Sequence, residues 1–148
     1  MTAQEIREKN IERLINISKD TTVLPPPCCN NNISEIFEKF LSLPNYNRLD
    51  QFINAISKQY SIFERKKIRK KIVALVDYFQ EVESYLDNVC ASFAGIYQSH
   101  HFGGRSMNYG DDQEYFEISI KACLTRYPWL DFEWVKNYLD RVCWLCNR

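Results

Sequence analysis

The sequence predicts an all-α protein, a single-domain bundle of about six helices around one long central helix at about 61–97. Three observations predict it. Glycine is sparse at four residues and proline at five, while long side chains are abundant, a balance that favours helices over sheets. Apolar residues recur at helical spacing in segment after segment. Over 61–97 that pattern runs with no breaker except Gly95. No strand is predicted anywhere.

The first helix opens at Thr2, which forms a capping box with Glu5, and runs to about Ser18 with Ile6, Ile11, Leu14 and Ile15 at helical spacing. The stretch DTTVLPPPCCNNN follows at 20–32. Three consecutive prolines cannot lie inside a helix, so this is an extended linker. The organisation expected is therefore a helical arm at 1–19, a linker at 20–32 and a helical core at 33–148. Asn32 caps the second helix, with Glu35 three residues on and one apolar stripe of Ile33, Ile36, Phe37, Phe40 and Leu41, ended by Pro44. A third helix spans about 46–59, with Leu49, Phe52, Ile53, Ile56 and Tyr60 on one side.

Ser61 and Glu64 form a second capping box and open the long helix. Ile68, Ile72, Leu75, Phe79, Val82, Leu86, Val89, Phe93 and Ile96 alternate spacings of four and three, a heptad seam over four repeats. Val76, Tyr78, Tyr85, Cys90 and Tyr97 widen it beyond a two-stranded seam. That width predicts a central helix wrapped by its neighbours, with a homodimer through this helix as the alternative. Asp111 and Glu114 form a third capping box, and Phe116, Ile120, Cys123, Leu124 and Tyr127 line the fifth helix up to Pro128. The last helix covers about 129–146, with Val135, Tyr138, Leu139, Val142, Cys143 and Cys146 on its apolar side.

A chain of 148 residues is one domain's length and buries about 70% of its unfolded surface when compact. Net charge is zero, so overall charge implies neither a nucleic-acid nor a membrane partner. No run of about 18 apolar residues exists. The opening MTAQEIREKN lacks the apolar stretch of a secretory signal, and a cytoplasmic location is the expectation. The six cysteines, Cys28, Cys29, Cys90, Cys123, Cys143 and Cys146, are then read as thiols.

Four features bear on function. The first is SHHFGGRSMNYGDD at 99–112, with both histidines and three of the four glycines. His100 and His101 beside Asp111, Asp112 and Glu114 suit metal binding or acid–base work, and the Gly103 and Gly104 amides with Arg105 suit an anion. Against this, adjacent imidazoles diverge, and no HExxH or HxH spacing is present. His100, His101, Arg105 and Asp112 are the residues of this loop singled out. The second is CWLC at 143–146. Cys143 and Cys146 could share a zinc ion with His100 and His101, but a redox CxxC normally opens a helix whereas this one closes it, and core packing is the plainer expectation.

The third feature is ERKKIRKK at 64–71. Lys58 to Lys71 holds seven basic residues and one acidic one, leaving twelve basic and eighteen acidic elsewhere. The neutral total hides a segment at +6. Cations in the first turns of a helix oppose its macrodipole, so local stability does not explain them; an anionic partner does, and the alternatives are a solvated face or pairing within the chain to the acidic region 111–133. Arg65, Lys66, Arg69 and Lys70 are the candidate contact residues. The fourth is the aromatic tail of Trp129, Phe132, Trp134, Tyr138 and Trp144. Trp144 follows Asp140 and Arg141 on the polar side, where an exposed Trp suits an interface anchor.

No P-loop, GxSxG or GxGxxG motif is present. The expectation is a non-enzymatic cytoplasmic binding module, a regulator, adaptor or inhibitor that docks an acidic protein and carries no cofactor. The alternatives are a small metal-dependent or hydrolytic enzyme centred on the His100–Asp112 loop, and a nucleic-acid binder acting through 58–71.

Overall fold

The structure is a computed structural model that describes residues 1–28, 32–57, 62–100 and 109–147; within these, only the backbone is described for residues 57, 62–68, 98–100, 144, 146 and 147. The described residues form six α-helices and no strand: α1 (Ala3–Lys19), α2 (Ile33–Ser42), α3 (Arg48–Ser57), α4 (Ile62–His100), α5 (Gln113–Arg126) and α6 (Phe132–Asn147), with a short 3-10 turn at Gly110–Asp112. The all-α bundle with a long central helix is therefore observed. The chain packs as two compact units. One comprises Met1–Leu24 with Ser84–Arg148 and the other Pro25–Glu83, so the division falls inside α4.

In the unit Pro25–Glu83, α2 and α3 pack on the first half of α4 through phenylalanine. Phe79 meets Phe37 at 5.1 Å, Phe40 at 5.5 Å and Phe52 at 6.1 Å between ring centroids. Phe40 and Phe52 meet edge to face at 5.6 Å. These tilted geometries set positive ring edges against negative faces, each worth about 0.5–1.5 kcal/mol beyond burial. Leu43 is extended ahead of Pro44, whose ring disfavours a helical residue before it, and α2 ends there. Asn47 takes the left-handed conformation at φ 58°, which asparagine tolerates, and its carbonyl accepts the first bond of α3 from Gln51. Arg48 stacks over the Phe40 ring and donates to Glu83 Oε2 at 2.8 Å.

Two expectations fail in this unit. Asn32 stands at the N-cap of α2 but its side chain makes no capping bond. Its backbone carbonyl accepts the first bond of the helix from Ile36, as any N-cap carbonyl does. Leu49 is 41% exposed, outside the buried face of Phe52 and Ile56, because α3 begins only at Arg48 and Leu49 sits in its first turn. The Ser61–Glu64 capping box lies outside the described residues in part, Ser61 being undescribed.

In the other unit, α1, α5 and α6 pack with the second half of α4. Thr2 caps α1, its hydroxyl accepting from the Glu5 amide at 3.1 Å. Leu14 of α1 is wholly buried, and Asn10 lies so close to Gly95 of α4 that a Cβ there would fall 2.5 Å from its Nδ2. The lone breaker in the long helix therefore sits where another helix's side chain comes in. A ring cluster of Phe93, Tyr97, Tyr109 and Phe116 joins α4 to the start of α5, with Tyr109 4.5 Å from Phe116 and 5.0 Å from Phe93. Leu24 donates its amide to the Arg126 carbonyl at 2.9 Å, which ties the chain beyond α1 to the end of α5. Asp131 caps α6 by accepting from the Trp134 amide at 3.0 Å, so that helix starts at Phe132 rather than at 129.

The seam residues of α4 from Ile72 to Ile96 are at most 4% exposed. The capping box expected at Asp111 does not form. Asp111 is exposed in the 3-10 turn, one position before the N-cap, and the N-cap residue Asp112 makes no side-chain capping bond. Its carboxylate is engaged elsewhere.

Candidate functional site

That engagement is with Arg7. The Arg7 guanidinium lies 3.0 Å from Asp112 Oδ1, with the two side chains 16% and 0% exposed, and it also stands over the Tyr115 ring at 5.6 Å. The pair fastens α1 to the start of α5. Asp112, singled out in the sequence as a loop residue with chemistry, thus faces inward onto a cation from the far end of the chain. Nearby, Tyr109 is buried and donates its hydroxyl to Asp140 Oδ1. Burial first, and then that carboxylate, push the Tyr109 hydroxyl's pKa well above the ordinary tyrosine value. Gly110 is left-handed at φ 51°, the conformation that turns the chain into α5.

Of the other loop candidates, His100 ends α4 and only its backbone is described, while His101 and Arg105 lie outside the described residues. Cys143 is buried in α6, and the side chain of Cys146 lies outside the described residues. Among the described residues no group of three or more His, Cys, Asp or Glu side chains is placed to hold a metal ion. Cys123 is also buried, which raises its thiol's pKa to about 12 and leaves it protonated and unreactive at neutral pH.

The basic segment opens α4. Arg65 and Lys66 lie on its backbone with side chains outside the described residues. Arg69 and Lys70 are exposed, as is Lys71 beside them, and none of the three forms an ion pair among the described residues. Trp144 is on α6 with its side chain outside the described residues, next to the exposed Leu145.

Two hollows mark the unit built from the chain ends. The larger, about 600 Å³, lies open beside α1 and includes Lys9, Glu12, Arg13, Asp20, Tyr85 and Arg126. Its charges alternate in sign. Arg126 is already committed, paired with Asp20 and stacked over Tyr85 at 4.6 Å. Asp20 in turn accepts from Thr22 and from Arg126, which together hold its carboxyl below the usual aspartate pKa. The second hollow, about 410 Å³, is an apolar groove along α5 and the start of α6. Phe116 and Ile120 are buried as their spacing predicts, while Leu124 is half-buried, and the sequence carries no signal for the groove. The groove arises because Phe132, only six residues beyond Arg126, comes back alongside α5 after the turn at Tyr127–Leu130.

The described residues define an all-α protein. Comparison with protein-family models, with curated proteins and with solved structures finds no match to the chain. Its function is therefore read from its own residues. No helix among the described residues is long and apolar enough to cross a membrane.

Proposed function

We propose that the chain is a non-enzymatic binding module that docks an acidic protein surface through the basic face at the start of α4, with Arg65, Lys66, Arg69 and Lys70 as the contact residues. One observation carries the reading: Arg69 and Lys70 are exposed and form no ion pair among the described residues, at the end of a segment that holds seven basic residues and one acidic one. A partner's carboxylates supply the opposite charge that the helix itself does not. Such a face acts mainly on association rate and orientation, and its effect fades as salt rises.

The test is co-purification of the full chain from cells, side by side with an Arg65→Ala, Lys66→Ala, Arg69→Ala, Lys70→Ala variant. Acidic proteins recovered with the parent and lost from the variant support the reading. Partners retained by the variant refute it. Nucleic acid bound with affinity falling several log units per log of salt would replace it with phosphate recognition.

A further inference from the structure

The groove on α5 and α6 supports a second contact. Phe116, Ile120 and Leu124 line it at successive spacings of four on α5; Phe116 and Ile120 close its base at 3% and 4% exposed, and Leu124 is half-buried. Phe132 forms part of the opposite wall and is 51% exposed, an aromatic ring half in water beside an apolar trough. Two lysines stand at the edges, Lys121 on α5 and Lys136 on α6, both exposed. Neither forms an ion pair among the described residues. Glu117 is the lining's one acid, a turn before Lys121. From Gln113 to Thr125 the lining follows α5 for about 18 Å at 1.5 Å per residue, the length of about three turns of a second helix.

We infer that this groove seats an amphipathic helix of about a dozen residues from a protein partner, its apolar stripe against Leu124 and Phe132 over the closed base of Phe116 and Ile120, and its flanking carboxylates against Lys121 and Lys136. The trough is apolar and bordered by unneutralised cations, so the complementary ligand is apolar along one line and acidic beside it. A trough of this length between helices takes helical anchors at i, i+4 and i+7. This inference rests on reading the chain as a binder of acidic protein, but places the contact on residues other than the basic face.

The experiment pans a displayed library of random 16-residue peptides on the immobilised full chain and measures the enriched peptides by fluorescence anisotropy. Enriched peptides are expected to carry apolar residues at helical spacing flanked by Asp or Glu. Phe132→Ala should weaken them about tenfold, and because that side chain is half exposed the variant keeps its fold, which circular dichroism checks. Lys121→Glu with Lys136→Glu should weaken the acidic peptides at least tenfold and strengthen analogues with Lys in place of the acids. Failure to enrich helix-patterned peptides, enrichment of basic ones, or affinities unmoved by both variants overturns the inference. A concentration-dependent dimer that Phe132→Ala dissolves also overturns it, since the occupant is then a second copy. The quadruple alanine variant of the basic face should bind the peptides as the parent does. If it loses them while the groove variants do not, the groove is wrong and the basic face stands.

Discussion

Replacing Arg7 by methionine tests how the first helix is held. Methionine keeps the aliphatic stem and has nearly the helix propensity of arginine, so the change isolates the charge. At 3.0 Å and an effective dielectric of about 20, the Arg7–Asp112 attraction is about 5.5 kcal/mol. Desolvation offsets part of it, and removing one partner of a buried pair costs about 3–5 kcal/mol. Arg7 retains some exposure, so we expect about 3 kcal/mol for Arg7→Met, which leaves the fully buried Asp112 carboxylate without its guanidinium. The reverse change, Asp112→Asn, should cost less, about 1–2 kcal/mol, because the abandoned guanidinium can turn to water. The double variant should cost less than the two single changes added, since neither charge is then stranded. Urea unfolding followed by circular dichroism measures all four proteins, and for Arg7→Met the melting temperature should fall by about 6–12 °C. A cost below about 1 kcal/mol for Arg7→Met, or additivity in the double variant, would refute the view that this ion pair fastens α1.

The other predictions concern the aromatic core, acid sensitivity and thiol reactivity. Phe79→Ala removes the ring shared by Phe37, Phe40 and Phe52 and should cost about 3–5 kcal/mol in the same urea assay, against less than 1 kcal/mol for a conservative Phe79→Leu if shape were unimportant. The folded pKa of Asp20 lies below its ordinary 3.8, so its contribution is present above pH 3.8 and is lost as pH falls through the lower folded value. The unfolding midpoints of parent and Asp20→Asn, measured from pH 6 to pH 2, should therefore converge at the acid end, and a constant gap would contradict the assigned Thr22 and Arg126 contacts. In the native protein at pH 8 a thiol reagent should modify Cys28 well before Cys90, Cys123 or Cys143, which are buried, and mass spectrometry of peptide digests reads the order. Modification of Cys123 at the rate of Cys28 would show that the core opens readily.

The sequence alone determined the helices. Spacings of three and four put Ile72, Leu75, Phe79, Val82, Leu86, Val89, Phe93 and Ile96 on one stripe, and all eight are buried. Thr2 and Pro44 mark helix ends where expected, because caps and proline act through neighbours within four residues. Asp111 misled for the same local reason: the pattern of a capping box is blind to a 3-10 turn and to a guanidinium more than a hundred residues away. Where α1 docks was decided only by tertiary structure. Arg7 with Asp112, Asn10 with Gly95, and Leu24 with Arg126 join residues that no periodicity relates. The basic segment at 58–71 was legible, since charge is written in composition. The groove was not: Phe116, Ile120 and Leu124 form one stripe in the sequence, yet Phe116 and Ile120 are buried while Leu124 is left half-buried, and that depends on how fully α6 covers it. That coverage is set by the short turn after Tyr127, which brings Phe132 back alongside α5 and leaves its ring half in water.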